Sequence, residues 1–551
     1  MPATLKPGRS TQLGGQLPFS HERQPTGDQP DLPKHPTDRT ALFSRLLVVA
    51  ISLVGLAGLV RAYVRMSQRV SLDSDQYTII LQAQELLHGN LLLHHWWVPG
   101  DNFLTTDIAF HTIGVAFLGL QPAVGRYEPA VVYALTVATA VLLAQTNNRG
   151  MARWLRMLIV LALTAVPAAG ISVESALRAG YHVSTIFLVL LSLLLIDRLP
   201  ARWSLPLAFV LLTQAQFADP LGTVIGALPL AVVTGLRWWR HRTGRSMLDR
   251  QLFLVALLSA VVARLAERAV SAAGGFQVST PLQLAFVSLD DLPKHTLLLL
   301  RLLLELFGAN FFGQPVGRHA AGLILHGFGL LFVAAVIWIV IRRWRRGEFG
   351  DRTVEVLVTG SLILLGALFF STYVIDPTSI RYAMPILFFG AVLAARQGAD
   401  WLLSDRRLTV ATAALSLLYL AFFWPALNTP TVPNRPSQIV PWLQSHRLRY
   451  GIGGYWAANS VTVESGGSVQ VSAVVPEGQR FGPYRWLSKS DWYDPRERRA
   501  NFALIDTRLP GAVPETQLEQ AFGAPREIDQ VDGYVILIWD KNLLNDPGWS
   551  G

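Results

Sequence analysis

Long apolar segments separated by short charged loops dominate the chain up to about residue 424. The first segment, residues 42–60, has about 19 residues, which is enough to cross a bilayer as a helix. Ten further segments cover 127–144, 155–169, 183–196, 205–217, 220–236, 252–273, 320–341, 354–373, 382–395 and 408–424. The pattern predicts an all-α polytopic membrane bundle of about 11 transmembrane helices over residues 42–424.

Two shorter apolar stretches lie between the first and second predicted spans, in a loop at residues 61–126. In Gln76–Leu87 the apolar positions recur at helical spacing, and Ile108–Leu120, with about 13 residues, is short for a span. We therefore expect two helices lying on the membrane surface in this loop. A second long loop is predicted at residues 274–319.

The two ends of the chain differ from the apolar region. Residues 1–41 contain seven prolines and no apolar periodicity, which predicts a disordered tail. Residues 425–551 begin with a proline-rich linker and then become polar. Helices at 436–446 and 515–522, strands at 449–453, 469–474 and 501–506, and a hairpin at 534–540 predict a small soluble α/β domain.

Composition and charge narrow the function classes. The chain has 51% hydrophobic residues, 15% charged residues and no cysteine, which excludes disulfide-stapled modules, thiolate zinc sites and cysteine nucleophiles. The net charge of +10 does not indicate nucleic-acid binding, because the arginines cluster in short loops. Loops on one predicted side hold about 18 Lys and Arg, against about nine in the longer loops opposite. The amino terminus is predicted to be cytoplasmic and the carboxy-terminal domain extracytoplasmic.

Ionisable residues collect on the predicted outer side. Asp73 and Asp75 follow the first span, and Asp75 can either cap the helix that begins at Gln76 or act as a general base for an acceptor hydroxyl. Asp107 lies at another predicted helix start, where it can likewise cap the helix or take part in catalysis. Were the loop to fold back, Asp75 and Asp107 could hold a divalent cation or divide acid and base work.

Other outer residues leave further alternatives open. Four loop histidines (His88, His94, His95 and His111) lack metal-site spacing, and His94–Trp97 is typical of an interfacial belt. Arg381 can anchor lipid headgroups or bind a phosphate.

Asp73–Tyr77, at the start of the first loop helix, is the first of several motifs that resemble those of the GT-C superfamily of membrane glycosyltransferases. These enzymes take a sugar from a polyprenyl-phosphate carrier, and protein-mannosyltransferases and aminoarabinose transferases are among them. Asp73–Tyr77 is similar to the acidic helix start of the family's first external loop. Gln76 stands where family members often have Glu, and an amide cannot neutralise a cation or remove a proton. The remaining motifs are Thr106–Ile108, Gly125–Tyr127, and Arg381–Tyr382 with Pro385. The likeness covers about residues 42–424 and, in placement, the carboxy-terminal domain.

The resemblance implies an inverting transfer of a sugar to an extracytoplasmic acceptor, which is a glycan, lipid or protein, in a bacterial cytoplasmic (inner) membrane. Asp75 or Asp73 would be the base, with Asp107 as a further catalytic candidate. The substrate-binding candidates are Arg381, Arg178, His182, Arg126 and Glu174. No cofactor is certain, a divalent metal is an alternative, and no nucleic acid is expected. A non-catalytic membrane scaffold and a transporter are the competing functions.

Overall fold

The computed structural model describes residues 38–145, 150–240, 247–280, 285–422, 431, 436–509 and 512–551. The predicted tail up to residue 37 and most of the predicted linker at 425–435 lie outside the described residues. The described residues divide into two units, 38–54 and 55–551. Residues 38–54 are helical.

Most of the described residues are helical. In the first half of the chain the helices are α1 (Asp38–Ser67), α2 (Ser74–Leu87), α3 (Ala109–Leu118), α4 (Val124–Ala144), α5 (Met151–Thr164), α6 (Ile171–Ala176), α7 (Val183–Arg198), α8 (Ala201–Ala218), α9 (Leu228–Arg240) and α10 (Met247–Ala272). In the second half they are α11 (Leu292–Leu306), α12 (Arg318–Arg345), α13 (Arg352–Phe370), α14 (Ile380–Leu393), α15 (Ala399–Leu402), α16 (Arg406–Phe422), α17 (Pro436–Ser445), α18 (Tyr455–Glu464) and α19 (Glu515–Phe522).

Five helical segments among the described residues are long and apolar enough to cross a membrane. They are Val49–Ser67, Val124–Ala144, Arg318–Arg345, Arg352–Phe370 and Pro377–Gly398. Each overlaps a predicted span, so the chain is an integral membrane protein. The other predicted spans correspond to helices that are shorter, less apolar or more highly charged, and the predicted number of about 11 is not confirmed.

Helices are present at both positions where the sequence predicted a surface helix, with different starts. The first is α2, and it begins at Ser74, two residues earlier than predicted. The second is a π-helical turn at Leu104–Ile108 that continues into α3. The second long loop also contains a helix that was not predicted, α11, because its apolar pattern is too short for a span and is interrupted by charged residues.

The carboxy-terminal region combines helices with a six-stranded sheet. Its strands are β3 (Tyr450–Gly453), β4 (Gln470–Glu477), β5 (Arg480–Pro483), β7 (Phe502–Asp506), β8 (Glu527–Val531) and β9 (Tyr534–Ile538), in the order β5-β4-β3-β7-β9-β8. Strand β3 is parallel to β4 and β7, and the other pairs are antiparallel. The predicted helices and the strands at 449–453, 469–474 and 501–506 are present. The hairpin predicted at 534–540 is wrong, because this stretch is the single strand β9, whose hairpin partner is β8. Strands β5 and β8 and helix α18 were missed.

A second, three-stranded sheet joins three distant parts of the chain. Its strands are β1 (Trp96–Pro99), β2 (Gln277–Thr280) and β6 (Ser488–Lys489), and β1 is central. Trp96 is fully buried, and its ring lies 5.2 Å from the ring of Trp492. Trp96 therefore packs against the carboxy-terminal region. The prediction that Trp96 belongs to a membrane-interface belt is wrong.

Charged side chains separate to the two ends of the helices. Arg396, beyond the end of α14, is almost fully buried and forms ion pairs with Asp197 and Asp351. Arg381 lies at the start of the same helix, 15 residues away and so about 22 Å along the axis. Arg396, a predicted cytoplasmic cation, and Arg381, a candidate site residue, thus lie at opposite ends of one helix.

The absence of cysteine makes this orientation directly testable. We expect Ser445→Cys, exposed at the end of α17, to react with a membrane-impermeant maleimide in intact cells. Arg346→Cys, exposed beyond α12, should react only after the membrane is permeabilised. The opposite labelling pattern would overturn the predicted orientation.

Candidate functional site

Helix α2 begins with a capping box that involves Asp73. The Asp73 carboxylate accepts a hydrogen bond from the backbone N–H of Asp75 at 3.0 Å, and Gln76 Oε1 accepts one from the backbone N–H of Asp73 at 3.0 Å. These bonds satisfy backbone donors that a helix start leaves unpaired. The cap is therefore Asp73, and the interpretation of Asp75 as the cap is wrong.

The amide of Gln76 has a second contact that explains its presence. Gln76 is fully buried, and its Nε2 donates to the carbonyl oxygen of Ala179 at 3.4 Å. A glutamate could accept the bond from Asp73 but, when ionised, could not donate to a carbonyl. The amide thus ties α2 to the segment between α6 and α7.

The Asp75 side chain points away from the cap and meets the carboxy-terminal region. The hydroxyl of Tyr455, at the start of α18, donates a hydrogen bond to Asp75 Oδ1. Burial raises the pKa of Asp75, while this hydrogen bond and the positive charges of Arg381 and Arg178 act in the opposite direction. Two candidate arginines are therefore within electrostatic range of the same carboxylate.

Arg178 joins several groups around Asp73. Its Nη1 lies 3.3 Å from Asp73 Oδ2 and 3.4 Å from Glu174 Oε2, and its Nη2 donates to the carbonyl of Ser71 at 2.8 Å. Burial and the neighbouring charge of Asp75 raise the pKa of Asp73 to about 6, against the opposing effect of Arg178. Glu174 holds Arg178 in place rather than pointing into a cavity.

A buried histidine and aspartate pair forms the next part of the site. His182 Nδ1 lies 2.8 Å from Asp219 Oδ2, and the same oxygen accepts a hydrogen bond from Thr185 at 2.7 Å. Burial alone would lower the pKa of His182, but Asp219, together with Asp101, outweighs that effect and raises it. Burial raises the pKa of Asp101 to about 6. His182 Nε2 is buried without a hydrogen-bond partner among the described residues.

The backbone immediately before α7 adopts a left-handed conformation that places His182 in the site. Gly180 and His182 both have positive φ, at 74° and 68°. A side chain on Gly180 would approach Ile79 Cδ1 to 3.3 Å, besides the strain of this backbone conformation. A non-glycine residue with φ of 68° is costly, and such strain is concentrated at functional sites.

Asp107 belongs to this part of the site rather than to Asp75. It lies in the π-helical turn before α3, and its Oδ1 accepts a hydrogen bond from the N–H of Gly180 at 3.0 Å. His182 and Asp219 are the charged neighbours that act on its pKa, which burial raises. The structure therefore gives no support to a metal site shared by Asp75 and Asp107. Among the described residues, no group of three or more His, Asp or Glu side chains could hold a metal ion.

Arg381 is held by aromatic rings. Its guanidinium carbon lies 5.1 Å from the centre of the Tyr181 ring and 5.0 Å from that of Tyr382, and Nη2 is 3.1 Å from the Tyr382 hydroxyl. Its Nε is buried and has no hydrogen-bond partner in the described part of the chain. The ring contacts fix the side chain and leave hydrogen-bonding capacity for an anion.

An apolar cavity of about 350 Å³ opens beside these residues. Its polar lining consists of Asp101, His182, Asp219, Ser371, Tyr373 and Tyr382. The apolar wall consists of Pro220, Leu221, Val224, Ala285, Phe286, Leu364, Ala367, Leu368 and Phe370. A second cavity of about 750 Å³, lined in part by Arg301 and Arg318, contains none of the candidate carboxylates.

Arg126 is the one substrate-binding candidate that the structure places elsewhere. It is buried, and its Nη1 donates to the carbonyl oxygens of Ser67 and Val70 at the end of α1. Arg126 therefore ties α4 to the end of α1 and to the residues just beyond it. We therefore do not include it in the site.

Three site residues were not among the predicted catalytic or binding residues. Asp101 and Asp219 are separate polar residues in the sequence, and only the fold brings both to His182. Tyr455 lies 380 positions from Asp75. The sequence signal for Asp101 and Asp219 was weak, namely an acidic residue on the predicted outer side, and we find no sequence signal for Tyr455.

The fold is similar to that of two solved structures of ArnT from Cupriavidus metallidurans. The apo structure is 15% identical with a TM-score of 0.50, and the structure bound to undecaprenyl phosphate is 14% identical with a TM-score of 0.53. Each similarity covers 90% of this chain and 98% of the ArnT chain. No family model and no curated protein matches the chain. The chain therefore shares the fold of these ArnT structures.

We predict that the ion pair of His182 and Asp219 stabilises the protein in a pH-dependent way. Both side chains are at most 3% exposed, and removing one partner of a buried pair costs about 3–5 kcal/mol. The raised pKa of His182 makes its contribution complete below about pH 6.5, and the contribution is lost as the pH rises through the folded-state value. The lowered pKa of Asp219 makes its contribution present above about pH 4 and lost in stronger acid.

Thermal unfolding of wild type and Asp219→Asn in detergent at several pH values checks this prediction. The difference in melting temperature should be largest between about pH 4 and 6.5. Asp494→Asn, which removes a pair with the exposed Arg496, is the control and should change the melting temperature little. A difference that is independent of pH would show that Asp219 does not act through His182.

Proposed function

We propose that this protein is an inverting glycosyltransferase that moves a sugar from a polyprenyl-phosphate carrier to an acceptor hydroxyl at the outer face of a bacterial inner membrane. The observation that carries the proposal is that Asp73 pairs with Arg178 while Asp75 lies within electrostatic range of Arg178 and Arg381. Tyr382, which contacts Arg381, lines the apolar cavity. The shared fold with ArnT, one structure of which contains undecaprenyl phosphate, supports the same class of donor.

The donor would occupy the apolar cavity and its polar rim. A polyprenyl chain is hydrocarbon, and the cavity wall of Leu, Val, Ala and Phe side chains offers it a matching surface. The phosphate would lie against Arg381, whose guanidinium can donate two parallel hydrogen bonds, and near the unpartnered Nε2 of His182. A protonated His182, favoured by Asp219 and Asp101, adds positive charge.

Asp75 is the proposed base. Its carboxylate would accept the proton of the acceptor hydroxyl as that oxygen bonds to the anomeric carbon of the sugar. The bond between the anomeric carbon and the phosphate oxygen breaks, and its electron pair stays on the phosphate. Attack from the face opposite the leaving group inverts the anomeric configuration. Arg381 and Arg178 would stabilise the charge that develops on the departing phosphate.

The remaining candidates support this arrangement. Asp73 caps α2 and pairs with Arg178, so it would fix both the base and one of the cations. Glu174 holds Arg178 from the other side, and Asp107 fixes Gly180 two residues before His182. We propose positioning roles for Glu174 and Asp107, and we keep Asp73 as the alternative base because its pKa of about 6 suits that task.

We expect Asp75→Asn to reduce sugar transfer by about 10²–10⁴-fold, because the amide keeps the shape of the side chain but cannot accept the proton. Mass spectrometry of glycans and lipid-linked sugars, from cells with and without the protein, would first identify the donor and acceptor. Transfer is then measured in purified membranes. The control, Asp290→Asn, changes an exposed carboxylate of the second loop and should retain activity. Full activity of Asp75→Asn would refute the assignment of Asp75 as the base.

Arg381→Ala should raise the KM for the lipid donor by about 10–100-fold, because a charge-assisted contact to phosphate is lost. Arg381→Lys should recover only part of this, since lysine keeps the charge but not the planar fork. Arg301→Ala, which removes a cation from the second cavity, is the matched control. Unchanged donor kinetics in Arg381→Ala would remove Arg381 from the phosphate site.

A further inference from the structure

Helix α18 of the carboxy-terminal region lies along α2 and is joined to it by a row of hydrogen bonds. The hydroxyl of Ser74 donates to the carbonyl of Tyr455, and the amide of Asn459 donates to the hydroxyl of Thr78 at 2.6 Å. At the far end, the hydroxyl of Tyr77 donates to Glu464 at 2.5 Å. Ser74 with Thr78 and Tyr455 with Asn459 are four residues apart on their helices, so each pair lies on one helical face.

The hydroxyl of Tyr455 is fixed where it meets Asp75. Tyr455 is 9% exposed, and its ring lies 5.1 Å from the ring of Trp456 and 5.0 Å from that of Tyr484. The backbone contact from Ser74 holds the same residue from the side of α2. The hydrogen bond to Asp75 is thus set by packing on both helices and not by a freely rotating side chain.

We propose that Tyr455 is a positioning residue of the sugar-transfer site, and that docking of the carboxy-terminal region on α2 is what orients Asp75 for catalysis. This inference rests on the proposed function of Asp75 as the base. The Tyr455 hydroxyl occupies Oδ1, and among the described residues no hydrogen bond reaches Oδ2. The second oxygen is therefore the one that accepts the proton of the acceptor hydroxyl, and the bond at Oδ1 sets its direction.

The hydrogen bond also sets the charge state of the base. The charged and titratable groups that face Asp75 are Asp73 on its own helix, Arg178 and Arg381 from the bundle, and Tyr455 and Tyr484 from the carboxy-terminal region. Burial raises the pKa of Asp75, and the hydrogen bond from Tyr455 is the largest opposing effect. Loss of the Tyr455 hydroxyl therefore raises the pKa of Asp75 further and leaves less of the ionised base at a given pH.

The test compares Tyr455→Phe with Tyr77→Phe. The first keeps the ring packing and removes the hydrogen bond to Asp75, and the second removes a hydrogen bond between the same two helices that does not involve Asp75. In Tyr455→Phe the acidic limb of the pH profile of transfer should move up by about 1 pH unit, and the rate at neutral pH should fall. In Tyr77→Phe the limb should stay in place.

A spectroscopic readout separates this inference from the proposed function. Infrared spectra of the full-length protein, titrated with acid, show protonated carboxyl groups, and the band missing in Asp75→Asn belongs to Asp75. Its midpoint should rise by about 1 pH unit in Tyr455→Phe and stay unchanged in Tyr77→Phe. Absence of any transfer by wild type would overturn the proposed function alone. Equal midpoints in wild type and Tyr455→Phe, or an equal rise in Tyr77→Phe, would overturn the role of the Tyr455 hydroxyl.

Discussion

The burial of several carboxylates at one end of a helical bundle is the constraint on which this structure depends. Asp73 and Asp75 are two residues apart on one short helix, and burial disfavours the ionised form of both. Cations and hydrogen-bond donors from elsewhere in the chain compensate for that cost, namely Arg178, Arg381 and Tyr455. The loop between α6 and α7, the start of α14 and the start of α18 must therefore all reach the same helix.

The polar groups divide into two neighbouring sets with different surroundings. Asp73, Asp75 and Arg178 lie at the start of α2, where Asp73 pairs with Arg178 and Asp75 accepts a hydrogen bond from Tyr455. Asp101, His182 and Asp219 border the apolar cavity. Arg381 acts electrostatically on both Asp75 and Asp101, so it connects the sets. On the proposed function, an acceptor approaching the first set and a lipid-borne donor in the cavity would meet at this arginine.

Local backbone features place these groups. The capping box of α2 uses Asp73 and Gln76, which leaves Asp75 available for Tyr455. The left-handed conformations of Gly180 and His182 turn the chain so that Asp107 reaches the Gly180 amide while His182 faces the cavity. The amide at position 76, unusual for the family that the motifs resemble, is accounted for by its bond to Ala179. Single residues at the start of α2 and in residues 179–182 thus fix both the local backbone and a contact with another part of the chain.

The sequence by itself determined the membrane character of the chain, its apolar helices, the helical form of residues 76–87 and 108–118 and several strands of the carboxy-terminal region. These follow from local periodicity, which depends on neighbours within a few residues. The sequence also identified four site residues as candidates, because ionisable residues in or near the membrane usually mark functional sites. They are Asp73, Asp75, Arg178 and Arg381. Tertiary structure alone decided which hydrogen-bond partners these side chains have. Asp107 bonds to Gly180 and not to Asp75, Arg126 bonds to the end of α1, and Tyr455 bonds to Asp75. Such contacts join residues up to 380 positions apart, and neither spacing nor residue type encodes them, because they arise from how whole helices pack.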